Sequence, residues 1–359
     1  MKTLMVMAGG TGGHIYPGVA VADALRAQGW RIVWLGNPDG MEARIVPPCG
    51  YEMAWIKFSA LRGKGLLRTA LLPLNLLRGF WQALRALSQF KPSVVLGMGG
   101  YVSFPGGMMA ALTGRPLVLH EQNAVAGLAN RVLAQVADAV LCGFPDALKN
   151  ARWAGNPVRA EIAALPTPEV RFAGRTGPLR VLVVGGSLGA KVLNDTLPQA
   201  IAMLPAEARP ILTHQTGQAQ VEAVREAYQR AGVEAEVLPF IDNMAERYGA
   251  ADLVICRAGA LTVAELAAAG VASVLIPFPH AVDDHQTRNA RFLADAGAAT
   301  LIPQSALTAQ MLAQMLQQAD RAGLLAQACA ARAQSRPDAA EIVAQACAAL
   351  AKCEPNDEA

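Results

Sequence analysis

The 359-residue chain is too long for one ordinary core, so a two-domain enzyme is the expected organisation. Hydrophobic residues make up 53% of it and charged residues only 16%, a large supply of core with little charge to spare. A net charge of +3 argues against a general nucleic-acid binder, whose phosphate contacts need a concentrated basic face, and no nucleic-acid partner is expected.

The chain opens on Met1-Lys2-Thr3-Leu4-Met5-Val6-Met7, which runs directly into a glycine-rich turn. A signal peptide would show a longer apolar region and a small-residue cleavage site, so a cytoplasmic protein is expected. The run Leu4–Ala8 reads as a strand, Gly9-Gly10-Thr11-Gly12-Gly13-His14 as a turn, and Pro17 to Gln28 as a helix. Further strands are expected near Arg31–Leu35, Ser93–Gly97, Pro116–His120 and Ala139–Cys142, because continuous β-branched runs suit a parallel sheet buried on both faces. Between them, Leu61 to Phe90 interleaves Leu66, Leu67, Leu71, Leu72, Leu74, Leu76, Leu77, Phe80 and Trp81 with Arg62, Lys64, Arg68, Arg78 and Arg85. The charges and Pro73 break it too often for a transmembrane helix. It reads either as a core helix with a solvated face or as a basic, Trp-bearing surface for an anionic membrane interface.

Gly155-Asn156-Pro157-Val158-Arg159, followed by Pro166, Pro168 and Pro178, punctuates a domain boundary. The first pattern then recurs, with a strand at Val181–Val184, the turn Gly185-Gly186-Ser187-Leu188-Gly189, and a helix from Ala190 to Met203. Strands near Pro210–Thr213, Glu236–Leu238, Leu253–Cys256 and Ala272–Ile276 follow, and an Ala-rich helix from Asp338 to Lys352 closes the chain. The alternation in both halves predicts an α/β protein of two doubly wound Rossmann-like domains. The expected boundaries are 1–159, completed by the C-terminal helix 337–353, and 160–336.

The six cysteines (Cys49, Cys142, Cys256, Cys329, Cys347 and Cys353) form no CxxC pair and have no His at ligand spacing, so they read as reduced thiols. A glycine-rich turn between strand and helix lets backbone N–H groups approach an anion. Two such turns, one per domain, suggest a cleft entered by polar ligands from both sides. Neither has the dinucleotide spacing with an acidic residue on the next strand, which disfavours a nicotinamide-dependent oxidoreductase. Cys256-Arg257-Ala258-Gly259-Ala260-Leu261-Thr262-Val263-Ala264-Glu265 is more informative. A strand ends at Cys256, a helix opens at Ala260, its free amides could hold a diphosphate, and Glu265 could take both hydroxyls of a ribose. A capped helix with an ordinary surface Glu would read the same way.

That decapeptide resembles the nucleotide-sugar motif of two-domain glycosyltransferases of the glycogen-phosphorylase-like (GT-B) architecture. The wider set is similar to the branch that completes lipid II in bacterial peptidoglycan synthesis. It comprises Gly9–His14, Gly99-Gly100-Tyr101-Val102-Ser103, His120-Glu121-Gln122-Asn123, Gly155–Arg159, Gly185–Ala190, the decapeptide, and Asp284-His285-Gln286-Thr287-Arg288-Asn289-Ala290. The resemblance implies inverting transfer of N-acetylglucosamine from UDP-GlcNAc to the 4-hydroxyl of N-acetylmuramic acid in undecaprenyl-linked lipid I. It implies Ser187 and the amides of Ala260, Leu261, Thr262 and Val263 at the UDP phosphates, with Ala264 in the same UDP-GlcNAc-binding stretch, Glu265 at the ribose and Ile241 at the uracil. Asn123 and Gln286 would read sugar hydroxyls, with Arg159 at the domain junction. Thr11, Gly12 and Gly13 would form the acceptor's wall near its diphosphate.

His14 is the first candidate for the base that activates the hydroxyl, because an imidazole titrates near neutrality. A helix-capping or diphosphate-binding role suits it as well. Glu121 is the second candidate, or a structural carboxylate. No cofactor is expected, and no metal, since the chain lacks Asp-x-Asp and Asp283-Asp284-His285 reads as a polar loop. The cytoplasmic face of the inner membrane and other cell-wall synthesis proteins are the expected partners. A UDP-N-acetylglucosamine 2-epimerase and a non-catalytic UDP-sugar-binding scaffold are the rival readings, and fold alone does not separate them.

Overall fold

The computed structural model describes residues 1–58, 72–186 and 189–351. The chain divides into two compact units: Met1–Arg159 together with the chain from Arg336 onward, and Ala160–Ser335.

In unit 1, seven strands form one parallel sheet among the described residues. They are β1 (Thr3–Met7), β2 (Arg31–Gly36), β3 (Glu52–Trp55), β4 (Val94–Gly97), β5 (Leu117–Glu121), β6 (Ala139–Cys142) and β7 (Arg152–Trp153), in the order β3-β2-β1-β4-β5-β6-β7. The helices are α1 (Gly12–Ala27), α2 (Glu42–Ile45), α3 (Leu72–Phe90), α4 (Ser103–Leu112) and α5 (Leu128–Leu133). Strand alternation sorts β1 between two cores. Leu4 and Val6 pack with Ile15, Val21, Leu25 and Trp34 on one face, while Met5 and Met7 pack with Leu35, Phe58, Leu87 and Phe90 on the other.

In unit 2, β8 (Arg180–Val184), β9 (Ile211–Gln215), β10 (Glu236–Leu238), β11 (Leu253–Cys256), β12 (Ala272–Leu275) and β13 (Ala299–Leu301) form a second parallel sheet, ordered β10-β9-β8-β11-β12-β13. Its helices are α6 (Ala160–Ala163), α7 (Pro168–Phe172), α8 (Lys191–Ala202), α9 (Val221–Arg230), α10 (Met244–Ala250), α11 (Ala260–Ala269), α12 (His285–Ala294), α13 (Ala309–Gln318) and α14 (Arg321–Ala333). The last described helix, α15 (Ala339–Leu350), returns to unit 1, where Val343, Ala344 and Cys347 join the core beside α1. Each sheet is therefore doubly wound, with its strand order reversing between β1 and β4 or between β8 and β11.

The first helix differs from expectation. It begins at Gly12 rather than at Pro17, so Gly12, Gly13 and His14 are its first turn and Thr11 its N-cap. Pro17 lies inside it, where it leaves the Gly13 carbonyl without its usual N–H donor. Sequence periodicity also passes over β3, β7 and β13, which are short strands at or near sheet edges and carry only a weak burial pattern.

Candidate functional site

In open α/β sheets, ligands bind outside the carboxyl ends of the strands where the strand order reverses. In unit 1 that position is bounded by the turn after β1 and the turn after β4. The two turns touch closely. Gly100 has φ +81°, and a Cβ there would overlap the Gly9 carbonyl oxygen, so only glycine fits. Ser103 Oγ ties the same turns, lying 2.7 Å from the Met7 carbonyl oxygen and 2.6 Å from that of Gly99.

Thr11 is exposed and Gly12, Gly13 and His14 are half-buried, and no side chain caps α1. His14 Nδ1 lies 3.3 Å from the Gly9 carbonyl oxygen and 3.2 Å from Thr11 Oγ1. A carbonyl can only accept, so the Gly9 contact favours the tautomer with the proton on Nδ1, which leaves on Nε2 the lone pair that a general base needs. The ring edge bearing Nε2 borders Gly99, as does the Asn130 amide.

Asn130 in turn donates to Glu121 Oε2 at 2.8 Å. Glu121 ends β5, is buried, and accepts from four donors. Asn123 N (2.8 Å) and Asn123 Nδ2 (3.3 Å) bind Oε1, and Gly127 N (3.3 Å) and Asn130 Nδ2 bind Oε2. A carboxylate so engaged is suited to holding the Asn123–Gly127 loop rather than to moving a proton. Its neighbour His120 is fully buried, and burial pushes its pKa down to about 4. The neutral ring donates from Nε2 to the Gly155 carbonyl (2.9 Å) and accepts at Nδ1 from Gln122 Nε2 (3.0 Å). Asn156 Nδ2 closes the circuit on the Gln122 carbonyl at 2.9 Å, fixing the segment that leads to the half-buried Arg159.

Unit 2 repeats the arrangement with different side chains. The turn after β8 is held by Gln215, which accepts from Gly186 N (3.0 Å) and donates to the Gly186 (2.8 Å) and Pro239 (3.1 Å) carbonyls. Gly189, at φ +75°, presses on the Thr216 carbonyl so closely that a Cβ would overlap it. Ser187, assigned to the phosphates by resemblance, lies outside the described residues.

The turn after β11 leads into α11. Gly259 is the N-cap, with no side chain to offer, and the first intrahelical bond is Val263 N to the Gly259 carbonyl at 2.9 Å. The amides of Ala260, Leu261 and Thr262 therefore have no acceptor within the helix. Arg257 braces the turn by donating to the Ile276 and Pro277 carbonyls (both 3.2 Å) and to Gln304 Oε1 (2.7 Å). Buried Asn289 donates to the Ala258 carbonyl at 3.2 Å.

Glu265 is not an ordinary surface residue: it is only 5% exposed and accepts from the Tyr248 hydroxyl at 3.4 Å. Val263 is buried while Leu261, Thr262 and Ala264 are half-buried, so the first turn of α11 keeps an accessible side. Ile241, 4% exposed, follows β10, and Gln286 on α12 accepts from Phe278 N at 2.9 Å. Among the described residues no group of three His, Cys, Asp or Glu is placed to hold a metal ion.

Unit 1 thus gathers Thr11, Gly12, Gly13, His14, Glu121 and Asn123 at one end of its sheet, and unit 2 gathers Ala260–Glu265 at the corresponding end of its own. Sequence reasoning passed over Gln215 and Asn130, and it gave Arg257, inside the decapeptide, no role of its own. Their roles are to hold backbone in place, and no motif spacing announces that.

Two doubly wound sheets, each with an amide-bearing turn at its switch point, are the architecture of two-domain glycosyltransferases of the GT-B class. The Glycosyltransferase family 28 N-terminal domain matches residues 4–142, and the Glycosyltransferase family 28 C-terminal domain matches residues 180–343. A protein of Aromatoleum aromaticum, named UDP-N-acetylglucosamine–N-acetylmuramyl-(pentapeptide) pyrophosphoryl-undecaprenol N-acetylglucosamine transferase, is 70% identical over 94% of both chains. One of the same name from Dechloromonas aromatica is 64% identical over 94% of this chain and 95% of its own. The crystal structure of Acinetobacter baumannii MurG superposes with a TM-score of 0.85 at 42% identity, covering 97% of this chain and 100% of that one. The calicheamicin glycosyltransferase CalG4, at 17% identity and a TM-score of 0.66 over 99% of this chain and 100% of its own, shares the fold alone. The chain belongs to glycosyltransferase family 28, in the branch that the Aromatoleum and Dechloromonas proteins represent.

Proposed function

We propose that this enzyme transfers N-acetylglucosamine from UDP-GlcNAc to the 4-hydroxyl of N-acetylmuramic acid in undecaprenyl-pyrophosphoryl-MurNAc-pentapeptide, forming lipid II. The observation that carries the reading is the start of α11, with three amides lacking intrahelical acceptors and a buried carboxylate, Glu265, one turn further on. A diphosphate satisfies such amides and is favoured by the helix dipole, and a ribose diol satisfies such a carboxylate. The names of relatives up to 70% identical agree with that chemistry.

The donor's UDP belongs to unit 2, with phosphates at Ser187 and the amides of Ala260, Leu261 and Thr262, ribose at Glu265 and uracil at the Ile241 backbone; the Val263 amide, expected to join them, bonds the Gly259 carbonyl instead. Asn123 and Gln286 are assigned the sugar hydroxyls, and Arg159 is assigned to donor binding. The acceptor's diphosphate belongs to unit 1, at Thr11, Gly12 and Gly13. In the reaction, His14 Nε2 takes the proton of the 4-hydroxyl as its oxygen bonds to the anomeric carbon. The bond from that carbon to the UDP oxygen breaks on the opposite face, converting the α-linked donor into a β-1,4 product. UDP leaves as an anion, and the α11 amides stabilise the charge as it develops.

Attachment to the cytoplasmic face of the membrane is part of the same reading. Among the described residues no helix is long and apolar enough to cross a membrane. On α3, Ala83, Ala86, Leu87 and Phe90 are buried, while Leu74, Leu77, Trp81 and Leu84 form an exposed stripe flanked by Arg78 and Arg85. Such a face settles at an anionic interface, where a lipid-linked acceptor resides.

The test is label transfer from UDP-GlcNAc to a detergent-solubilised lipid I analogue in EDTA, beside a Glu265→Ala control. Label is expected in the lipid, with the control reduced about 100-fold through loss of donor binding. Failure of a folded, UDP-binding protein to label the lipid would overturn the proposal. Activity that disappears in EDTA and returns with Mg²⁺ would overturn its metal-free form.

A further inference from the structure

Glu42 is a buried carboxylate for which the reaction scheme has no use. It stands at the first residue of α2, fully enclosed, and three glycines make room for it. A Cβ at Gly9 would lie 2.5 Å from its Oε1, one at Gly36 would lie 2.8 Å from its Cγ, and one at Gly40 would overlap the carboxylate. The ends of β1 and β2 and the turn before α2 have all yielded their side chains to the same group.

What the carboxylate holds explains the space kept for it. Oε1 accepts from Asn37 N at 2.9 Å, and Oε2 accepts from Gly10 N at 3.1 Å. The Gly10 N–H and the Gly9 carbonyl belong to one peptide plane, and that carbonyl is the acceptor for His14 Nδ1. The plane is thus gripped on one edge by Glu42 and on the other by His14. The Tyr101 ring packs over Gly10, where a Cβ would lie 3.2 Å from it. Glu42 also withholds the Gly10 amide from any ligand and leaves the amides that open α1 to face it.

We infer that Glu42 is a positioning residue for the acceptor half of the reaction. It orients the Gly9–Gly10 peptide so that His14 keeps its proton on Nδ1 and the first turn of α1 keeps its aim at the acceptor diphosphate. The inference rests on the proposed function, since it presupposes an anionic acceptor at this turn. Hydrogen bonds in series polarise one another, so the Glu42 carboxylate also strengthens the carbonyl's hold on His14.

Glu42→Gln is the sharpest test. The side chain keeps its shape, but one oxygen becomes an NH₂ that cannot accept, so either Gly10 N or Asn37 N faces a donor. The lipid I analogue KM is expected to rise about 10-fold and kcat to fall by about the same factor. The KM for UDP-GlcNAc and the affinity for UDP stay at wild-type values, and the pH at which kcat/KM falls on the acid side moves. A wild-type acceptor KM, kcat and pH profile in a folded Glu42→Gln protein would overturn the inference. Gly36→Ala is the second variant. It presses on the Glu42 Cγ while leaving every hydrogen-bond partner in place, and it should raise the acceptor KM in the same direction. If Glu42→Gln does not fold, the acceptor KM of Gly36→Ala decides alone. Wild-type protein that labels no acceptor would instead indict the proposed function.

Discussion

Which nitrogen of a histidine acts as a base depends on its tautomer, and at His14 the Gly9 carbonyl favours the one with Nε2 unprotonated. His14→Ala should lower kcat by about 100-fold or more while leaving the KM for UDP-GlcNAc near wild type. Steady-state kinetics with both substrates varied check this, and nearly unchanged turnover would remove His14 from the mechanism. The sequence identifies His14 as a candidate because an imidazole beside a glycine-rich turn is visible in one dimension. It does not reveal that Glu121 accepts four hydrogen bonds, because two of those donors are backbone amides of its own loop. It reveals Glu42 still less. The residue lies beyond the turn it braces, and its partners Gly10 and Asn37 contribute only backbone N–H groups, which every sequence has.

Among the elements, α11 is the most instructive, because it begins without a side-chain cap whereas α13 and α14 are capped by Thr308 and Asp320. Gly259 has extended backbone angles (φ −63°, ψ 145°), which an ordinary N-cap residue adopts, and among the described residues the only neighbour within reach of a new Cβ is Thr262 Oγ1 at 3.6 Å. Gly259→Asp should therefore stabilise the free protein by about 0.3 kcal/mol through capping. It should also weaken UDP binding by more than about 10-fold, since its carboxylate would occupy the phosphates' place. Thermal melting and calorimetric titration should thus move in opposite directions. Thr308→Ala, which removes the bond to Met311 N, should cost about 1 kcal/mol and leave UDP affinity unchanged. Strands with strongly apolar runs, such as Thr3–Met7 and Leu253–Cys256, were legible because burial on both faces leaves a continuous signature. Glu52–Trp55 was not, since an edge strand exposes much of its surface and its composition resembles a loop. The start of α1 was also hidden, because glycines at its first positions read as turn residues.

For the whole molecule, each unit carries one histidine buried in its neutral form. Burial lowers the pKa of His120 to about 4 and that of His214, beside Tyr228, to about 3. In the unfolded chain both titrate near about 6.5, so between these values the unfolded state binds more protons than the folded one. Their stabilising contribution is complete above pH ~6.5 and is lost as the pH falls toward the folded values. Denaturant titrations should lose on the order of 2 kcal/mol per histidine between pH 7.5 and pH 5. His214→Gln should flatten that dependence. A slope unaltered in the variant would assign the loss to other groups.

The return of α15 to unit 1 makes Ala160–Ser335 an insertion within a discontinuous domain. As the polypeptide leaves the ribosome, the inserted unit is complete while its host still lacks the helix that covers Val21 and Leu25. The portion synthesised first is then the last to acquire its finished core, and a chaperone that shields exposed apolar surface would meet it before the unit made after it.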